Sequence, residues 1–260
     1  MCDETRPGME NLPELLHAAS SIAREAGAIL LEGREQMDRH QDAGIRYKSS
    51  EIDPVTEYDL KSERYIVGEI ERRYPHHRLI GEEGGVYPVM HEATPAETCT
   101  WHIDPLDGTV NFAHGFPLYC VSLGLVQEGE PVLGVVYLPA LNELFAACKG
   151  SGTTLNGKPV RVSATARLEQ GLLATGFSYD THTSDSNLRY LAAGRWDGYW
   201  EMKTKTYDIA AGIILVREAG GQITDFDGGN DMLGSGRIVA SNGLIHTAML
   251  NILSRAGDRE

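Results

Sequence analysis

Apolar side chains recur at three- and four-residue intervals near the start of the chain, from about Leu12 to Leu31. This spacing puts them on one face of a helix, and Gly33 predicts where that helix stops. A second helix is predicted from about Asp59 to Arg73, where Pro75 ends the pattern. The polar stretch between the two helices, residues 41–55, predicts a loop. The apolar face of the first helix consists of Leu15, Ala18, Ala19, Ile22, Ala23, Ala26, Ile29 and Leu30.

Two short apolar runs follow, and each stops at acidic residues and glycine. They read HRLIGEEGG, residues 77–85, and TCTWHIDPLDG, residues 98–108. Such runs are typical of buried strands whose ends open into functional loops. Residues 117–149 then alternate apolar runs with the turn segments QEGEP and PALN, which predicts an antiparallel meander.

The second half of the chain alternates further strands and helices without repeats. The pattern predicts a mixed α/β (α+β) fold with a soft division into an N-terminal α+β lobe, 1–150, and a C-terminal α/β lobe, 151–260. We expect both lobes to form one compact unit. The predicted strands are LLATG, DGYWEM, GGQITDF and GRIVASNG, and the predicted helices run from Asp208 to about Ala219 and from about Leu244 to Arg255.

Composition and charge narrow the class of partner. The 260 residues are 42% hydrophobic and 23% charged, which is ordinary for a globular protein with a substantial core. The formal net charge is −14, and no Lys/Arg cluster is present, which argues against direct binding to nucleic acid or to an anionic membrane. An anionic small substrate would therefore need a cation beside it.

The cysteines and the first residues indicate a cellular compartment. Cysteines at positions 2, 99, 120 and 148 form no CxxC pair and no zinc-type spacing, which favours free thiols in a reducing environment. The first residues are acidic, and no run approaches the roughly 18 apolar residues of a membrane span. These features predict a cytoplasmic protein.

Two motifs imitate ligand sites. GTTLNGKP, residues 152–159, has the Gly-x4-Gly-Lys part of a P-loop, but Pro159 replaces the Ser or Thr that reaches Mg²⁺. Its Asn156-Gly157 pair favours a hairpin with a type I′ turn. DFDGGND, residues 225–231, looks like the start of an EF-hand whose glycine and twelfth ligand are out of register, which favours a plain turn.

The stretch with the most informative chemistry is DPLDGT, where Asp104 and Asp107 follow a predicted buried strand. The proline between them disfavours helical backbone at Asp104 and holds it extended. Gly108 allows close backbone approach to a ligand, and Thr109 is suited to cap a helix whose free N–H groups would face an anion. Carboxylates, with a freed carbonyl at Leu106, suit Mg²⁺ or Mn²⁺ rather than zinc. The sequence predicts a metal-assisted phosphate site.

Other acidic residues stand at comparable positions. Glu82 and Glu83 end the preceding strand, and Asp208 opens a helix after Glu201. Taken singly, the glutamate pair is typical of a solvated edge and Asp208 of an ordinary N-cap. Taken with the DPLDGT turn, they favour a shared carboxylate site.

Three stretches of the chain resemble the signatures of the inositol monophosphatase family. They are GEE at 81–83, IDPLDGTVNFAHGFP at 103–117 and YDIAAGIILVREAGG at 207–221. The resemblance extends in order over nearly the whole chain. It implies a layered αβαβα sandwich of the inositol monophosphatase and sugar phosphatase type, and Mg²⁺-dependent, lithium-sensitive hydrolysis of a phosphate monoester.

The resemblance also implies metal ligands, with two to three Mg²⁺ ions and Mn²⁺ as an alternative. The first ion would be held by Glu82, Asp104 and the Leu106 carbonyl, and the second by Asp104, Asp107 and Asp208. Glu82 would also help a third ion.

Catalytic and substrate-binding roles follow from the same resemblance. Thr109, Asp59 and Glu82 would be catalytic, because Asp59 would accept a hydrogen bond from the Thr109 hydroxyl and Thr109 would orient a metal-activated water for in-line attack. For Asp59 a helix N-cap is the structural alternative. Substrate contacts would come from Asp107, Gly108, Thr109, Glu201 and Asp208. The implied partner is a small phosphorylated polyol or sugar, and the implied assembly is a homodimer.

The chain departs from the family pattern in its second half. A segment that includes an Arg-x-Gly-Ser-Ala-Ala stretch, part of the substrate wall, is missing between LLATGFSYD and YLAAGRWDGYWE. Either the second lobe is truncated by a true deletion, or the sequence omits a segment near Asn187-Leu188. All the implied metal ligands lie outside the gap.

Three functions are open at this point. The first is a phosphatase of the inositol-1-monophosphatase type. The second keeps the chemistry but changes the substrate to fructose 1,6-bisphosphate, histidinol phosphate, phosphoadenosine phosphate or NADP. The third is a regulatory binding protein with vestigial catalysis, as in some bacterial relatives that contact the transcription machinery.

Overall fold

The structure, a computed structural model, describes residues 11–40, 46–47, 54–88, 99–176 and 184–257. The helices are α1 (Leu12–His40), α2 (Glu57–Arg73), α3 (Thr109–Ala113), α4 (Ser184–Ala192), α5 (Thr206–Glu218), α6 (Met232–Ser235) and α7 (His246–Gly257). The strands are β1 (Arg46–Tyr47), β2 (Pro54–Val55), β3 (Arg78–Gly81), β4 (Gly85–Tyr87), β5 (Cys99–Asp107), β6 (Cys120–Gln127), β7 (Glu130–Leu138), β8 (Glu143–Cys148), β9 (Thr153–Leu155), β10 (Lys158–Val160), β11 (Leu173–Thr175), β12 (Gly198–Met202), β13 (Gln222–Thr224) and β14 (Arg237–Ser241).

An eight-stranded sheet has the strand order β10-β9-β8-β7-β6-β5-β3-β4. The strands from β5 to β10 are successive antiparallel neighbours, so the predicted meander is confirmed. In contrast, β3 and β5 pair in parallel. Because these two strands run in the same direction, their carboxyl ends meet at one edge of the sheet.

Helices and a second sheet complete the layers. α1 and α2 cover one face of the large sheet, and α4 and α5 pack on the other. A four-stranded sheet, β11-β12-β14-β13, lies beyond α4 and α5, and α7 packs on it through Met249 and Val239. The predicted αβαβα sandwich is therefore confirmed.

Two glycines let α5 lie very close to the large sheet. A Cβ at Gly124, on β6, would be 2.6 Å from the Ala210 Cβ and 2.8 Å from the Ala211 nitrogen. A Cβ at Gly134, on β7, would be 2.5 Å from the Ala211 oxygen. Most of these neighbours are backbone atoms of α5, which cannot move aside as a flexible side chain does. The N-terminal half of α5 is thereby held close against the middle of β6 and β7.

Replacing Gly124 with alanine is expected to push α5 away from β6. The overpacking should lower the free energy of unfolding by about 1–3 kcal/mol, as measured by urea denaturation. Gly68→Ala is the matched control, because Gly68 lies within α2 and its Cβ would have no neighbour within 4 Å. Equal stability of Gly124→Ala and wild type would contradict the tight packing.

The prediction that the first helix stops at Gly33 is wrong. α1 continues to His40, seven residues further. A Cβ at Gly33 would overlap the ring of Tyr58 on α2. The glycine permits the close approach of α1 and α2, which does not require the helix to end.

The two imitation motifs are turns, as predicted. β9 and β10 form a hairpin around Asn156 and Gly157, with φ of 49° and 76°. In the second motif, Asp225 Oδ1 accepts hydrogen bonds from the backbone N–H groups of Asp227 and Gly229 at 2.9 and 2.7 Å.

Three further predictions concern the cysteines, membrane spans and the division into lobes. Cys99, Cys120 and Cys148 are buried and form no disulfide with one another, as predicted, and Cys2 lies outside the described residues. None of the helices in the described ranges has the length and apolarity needed to span a bilayer. The hairpin at 153–160 belongs to the large sheet, so the division into lobes near residue 150 stays a prediction.

Candidate active site

The site lies where β3 and β5 end side by side. Glu82 follows β3 directly, and its backbone N–H donates to the Ile103 carbonyl of β5 at 3.1 Å. Asp104 and Asp107 lie in the last four residues of β5, and the register of its pairing with β6 shifts between them. Two residues three positions apart on a regular strand point to opposite faces of the sheet. The irregularity allows both aspartates to face the same site.

Asp104 is the most buried acid of this group, with no exposed surface. Its Oδ1 accepts the Leu106 backbone N–H at 3.0 Å. Within the described part of the chain, no hydrogen-bond donor reaches its buried Oδ2. Burial raises the pKa of Asp104 well above its usual value, and the charges of Glu82, Asp107 and Asp208 raise it further. Glu82, Asp107 and Asp208 are thus near enough to Asp104 for their charges to act on it.

Asp208 is held at the start of α5. The helix begins at Thr206, and Asp208 Oδ2 accepts the Lys205 backbone N–H at 2.6 Å. The N-cap of α5 is Lys205, so Asp208 is not the N-cap that the sequence offered as an alternative; it is the third helical residue and accepts this bond as part of a capping box. It uses one carboxylate oxygen, while the close packing of α5 directs the residue toward Asp104.

Thr109 and Asp59 form a hydrogen-bonded pair beside the carboxylates. The Thr109 hydroxyl lies 3.1 Å from Asp59 Oδ1 and 3.0 Å from the Leu106 carbonyl, and both residues are buried. Asp59 Oδ2 accepts the Thr56 backbone N–H at 2.8 Å and its hydroxyl at 2.5 Å. Thr56 is the N-cap of α2, so Asp59 is not the N-cap itself: it completes the capping box as the third helical residue with one oxygen and receives the Thr109 hydroxyl with the other, and its catalytic role stays a prediction.

Burial also shifts the pKa of Asp59. Desolvation raises it to about 6, against the lowering effect of the two Thr56 hydrogen bonds, and Glu82 contributes a further upward shift. A carboxylate with this pKa can exchange a proton near neutral pH.

The expected N-cap at Thr109 is wrong by one position. α3 starts at Thr109, and its N-cap is Gly108 with φ of 89°. A Cβ at Gly108 would be 2.9 Å from the Leu118 carbonyl, so glycine is required by both the backbone angle and the space. The Thr109 side chain is turned back toward Asp59 and Leu106.

Glu201 lies on β12 of the second sheet, 2% exposed. It accepts a hydrogen bond from the Tyr199 hydroxyl, and it packs against Gly176. It is not among the charges that raise the pKa of Asp104. Its predicted substrate contact therefore stays a prediction.

The polar loop at 41–55 lies largely outside the described residues, as does the segment 177–183 beside the predicted deletion.

The donor chemistry of the cluster fits a hard divalent cation better than a softer metal. In the ranges given above, no group of three or more His, Cys, Asp or Glu side chains is arranged so that it could hold a metal ion by itself. The pKa of Asp104 nevertheless responds to three other carboxylates. Mg²⁺ sites commonly combine one or two carboxylates with carbonyl and water oxygens, so Mg²⁺ does not require three protein side chains. The unpartnered Asp104 Oδ2 and the Leu106 carbonyl are such donors.

Sequence reasoning missed three residues that support the site. Glu63 of α2 accepts hydrogen bonds from the turn after Glu82. The Cys120 thiol donates to Asp107 Oδ2 at 3.4 Å. His102 Nδ1 lies 2.8 Å from the Thr206 hydroxyl, and burial lowers the pKa of His102 to about 4, so the ring is neutral at pH 7. The alternation of β5 could have indicated His102, since it faces α5 from the same side as Asp104.

The sequence of the chain is similar to that of a known protein family. The sequence pattern of the inositol monophosphatase family matches residues 11–188 and 182–257. The chain belongs to the inositol monophosphatase family. The two matched stretches meet at residues 182–188, which is where the sequence departs from the family pattern.

Relatives in this family carry two kinds of name. An inositol-1-monophosphatase from Synechocystis is 41% identical over 81% of this chain and 80% of its own length. The Nus factor SuhB of Pseudomonas aeruginosa is 36% identical over 92% of this chain and 95% of its own.

Solved structures of family members have the same fold. The SuhB extragenic suppressor protein of Bartonella henselae gives a TM-score of 0.84 at 34% identity, covering 92% of this chain and 98% of that one. An inositol monophosphatase from Anabaena gives 0.81 at 34% identity, covering 95% and 97%.

Metal-free stability should depend on pH because of the buried acids. The pKa values of Asp104 and Asp59 are raised in the folded protein, so their contribution to stability is present below the unfolded value near 3.8 and is lost as pH rises. For Asp59 this loss takes place between about pH 3.8 and about pH 6, and it lowers the free energy of unfolding by about 3 kcal/mol. A bound cation would offset the repulsion at Asp104. The rise in Tm on adding Mg²⁺ is therefore expected to grow from pH 4 to above pH 6, and a shift that is constant or greatest at pH 4 would contradict this.

Proposed function

We propose that the protein hydrolyses phosphate monoesters in a Mg²⁺-dependent reaction, with inositol monophosphate or a similar polyol phosphate as its substrate. Membership of the family supports a phosphatase. The observation that carries the finer proposal is the convergence of Glu82, Asp107 and Asp208 on Asp104, which has a buried oxygen without a donor.

Two positions for Mg²⁺ are proposed, and Mn²⁺ suits the same oxygen ligands. When bound, Mg²⁺ supplies positive charge that stabilises the attacking and leaving oxygens and lowers the pKa of water. The chain would contribute the oxygen ligands, and the burial of these oxygens limits their contact with solvent. One position would use Glu82, Asp104 and the Leu106 carbonyl, and the other would use Asp104, Asp107 and Asp208.

Thr109 and Asp59 would position the attacking water. A hydroxyl has one proton, which Thr109 donates to Asp59 or to the Leu106 carbonyl. Its lone pairs then accept a hydrogen from a water and aim the water oxygen at phosphorus. The water O–P bond would form as the ester O–P bond breaks; Asp59, with a pKa of about 6, is suited to receive the proton of the attacking water through Thr109, and the departing ester oxygen would take up a proton from solvent water to leave as the alcohol.

Substrate contacts are part of the same proposal. Backbone N–H groups at Gly108 and Thr109 would bind the phosphate. The carboxylates of Asp107, Asp208 and Glu201 would accept hydrogen bonds from sugar or polyol hydroxyls, which favours a hydroxyl-rich leaving group. A cytoplasmic location is proposed on the cysteine pattern, and lithium sensitivity and a homodimer are proposed on the family resemblance.

The test is a panel of phosphate esters assayed with Mg²⁺ and with EDTA. Inositol monophosphate should give the highest kcat/KM, and phosphate release should vanish in EDTA. Preference for fructose 1,6-bisphosphate, histidinol phosphate, phosphoadenosine phosphate or NADP would replace the substrate but leave the chemistry. Undiminished release in EDTA would reject the proposal.

A regulatory function is the second candidate, because several relatives are named Nus factor SuhB. It would require the chain to bind transcription proteins, with catalysis reduced or absent. The assay is co-purification with transcription proteins from cells. Robust turnover together with the absence of such partners would reject it.

A further inference from the structure

Glu63 is a buried carboxylate that lies one helical turn after Asp59 on α2. Only 2% of its surface is exposed. An ionised carboxylate at such a position is costly unless hydrogen bonds compensate it. The donors found for it among the described residues come from the turn between β3 and β4 and from the last residue of β4.

Three donors hold the Glu63 carboxylate. The backbone N–H of Glu83 donates to Oε2 at 3.0 Å, and the backbone N–H of Gly84 donates to Oε1 at 2.6 Å. The Tyr87 hydroxyl also donates to Oε1 at 2.6 Å. Burial and the bond to Glu63 raise the pKa of Tyr87, so the hydroxyl keeps its proton and remains a donor.

The glycines of this turn are explained by the same contacts. A Cβ at Gly81 would be 2.7 Å from both carboxylate oxygens of Glu63. A Cβ at Gly84 would overlap the Tyr87 hydroxyl. The sequence GEEGG is therefore shaped to bring its backbone against Glu63, in addition to supplying acidic side chains.

Backbone hydrogen bonds hold the chain at Glu82 and directly after it. Its own N–H is bonded to Ile103 on β5, and the next two N–H groups are bonded to Glu63. The same face of α2 also carries Ser62, whose hydroxyl donates to the Pro105 carbonyl at 2.9 Å. α2 therefore fixes both chain segments that carry the acids at this edge.

We propose that Glu63 is a positioning residue that sets the orientation of Glu82 toward a divalent cation. The proposal rests on the function proposed above. Glu63 would not touch metal or substrate. It acts through the backbone of residues 83 and 84, so its loss should weaken cation binding more than it slows turnover at saturating cation.

The test compares wild type with Glu63→Gln by calorimetric titration of Mg²⁺ in the absence of substrate. The glutamine has one acceptor oxygen, and its NH₂ group would face a backbone N–H or the Tyr87 hydroxyl. We expect the dissociation constant for Mg²⁺ to rise 10- to 100-fold, as is typical for groups that support metal ligands. The kcat at saturating Mg²⁺ should stay within a few-fold of wild type, on the order expected for a change confined to binding.

Asp197→Asn is the matched control. Asp197 is also a buried carboxylate, and it accepts the Ser163 hydroxyl and the Leu172 N–H in the second sheet. It should lose stability without a change in Mg²⁺ affinity. If Glu63→Gln folds and binds Mg²⁺ as wild type does, the proposal is overturned.

Tyr87→Phe provides a second variant if Glu63→Gln does not fold. It removes one donor and leaves the carboxylate, so Mg²⁺ affinity should fall by a smaller factor; unchanged affinity would count against the proposal. The proposed function and the role of Glu63 can fail separately. If the wild-type protein binds Mg²⁺ but hydrolyses no ester, the proposed function is rejected. The comparison of Mg²⁺ affinities still decides the role of Glu63.

Discussion

Asp104→Asn is expected to slow Mg²⁺-dependent phosphate release by about 10³-fold while making the metal-free protein more stable. The aspartate is fully buried among three other acids, and its pKa is raised by burial and by their charges. Removing its charge relieves that repulsion, which should increase the free energy of unfolding in EDTA by on the order of 1 kcal/mol or more at pH 7. The same change removes an oxygen donor from both proposed cation positions. Loss of several kcal/mol of charge stabilisation lowers kcat by about 10³-fold.

The measurements are phosphate release with Mg²⁺ and urea unfolding with EDTA. Asp227→Asn is the control, since it makes the same chemical change at an exposed residue of the second half. It should alter neither quantity. An Asp104→Asn protein that retains Mg²⁺-dependent turnover, or that is less stable than wild type in EDTA, would contradict the assignment of Asp104.

Thr109→Val should produce the second large effect, and it should separate water positioning from cation binding. Valine keeps the shape of threonine but has no hydroxyl, so the bonds to Asp59 and to the Leu106 carbonyl are lost. We expect kcat to fall by about 10²–10⁴-fold, the usual contribution of a positioned proton-transfer group. The rise in Tm on adding Mg²⁺ should persist, because the four clustered carboxylates are intact.

Thr109→Ser should restore most of the activity, since it returns the hydroxyl. Thr153→Val is a suitable control, because Thr153 is also buried and donates to a backbone carbonyl, that of Leu215, at 2.6 Å. It should lose stability but keep kcat. Equal kcat in Thr109→Val and wild type would remove Thr109 from the mechanism.

The periodicity of the chain was sufficient for most elements, because each is long enough to bury one recognisable face. It could not give the end of α1. Gly33 acts as a helix stop only when no neighbour needs the space, and here the ring of Tyr58, twenty-five positions later in the chain, occupies it. Sheet order was equally inaccessible, since the parallel pairing of β3 with β5 depends on which strands meet across a connection.

The candidate site divides in the same way. Asp104 and Asp107 were recognisable because a strand, a proline and a glycine surround them within a few positions. Asp59 was ambiguous because its two oxygens have different partners, Thr56 nearby and Thr109 fifty positions away. Glu63 gave no local signal at all, since a glutamate on a helix is ordinarily solvent-exposed. Its role appears only when the turn after β3 is seen folded against it.

The central claim is that acids from separate parts of the chain hold divalent cations in one place. The most direct measurement is an anomalous-scattering map from crystals grown with Mn²⁺, recorded at a wavelength where manganese scatters strongly. We expect peaks bounded by Glu82, Asp104, Asp107 and Asp208, and no such peaks in Asp104→Asn. Manganese bound only elsewhere on the molecule, or peaks unchanged in Asp104→Asn, would contradict the account.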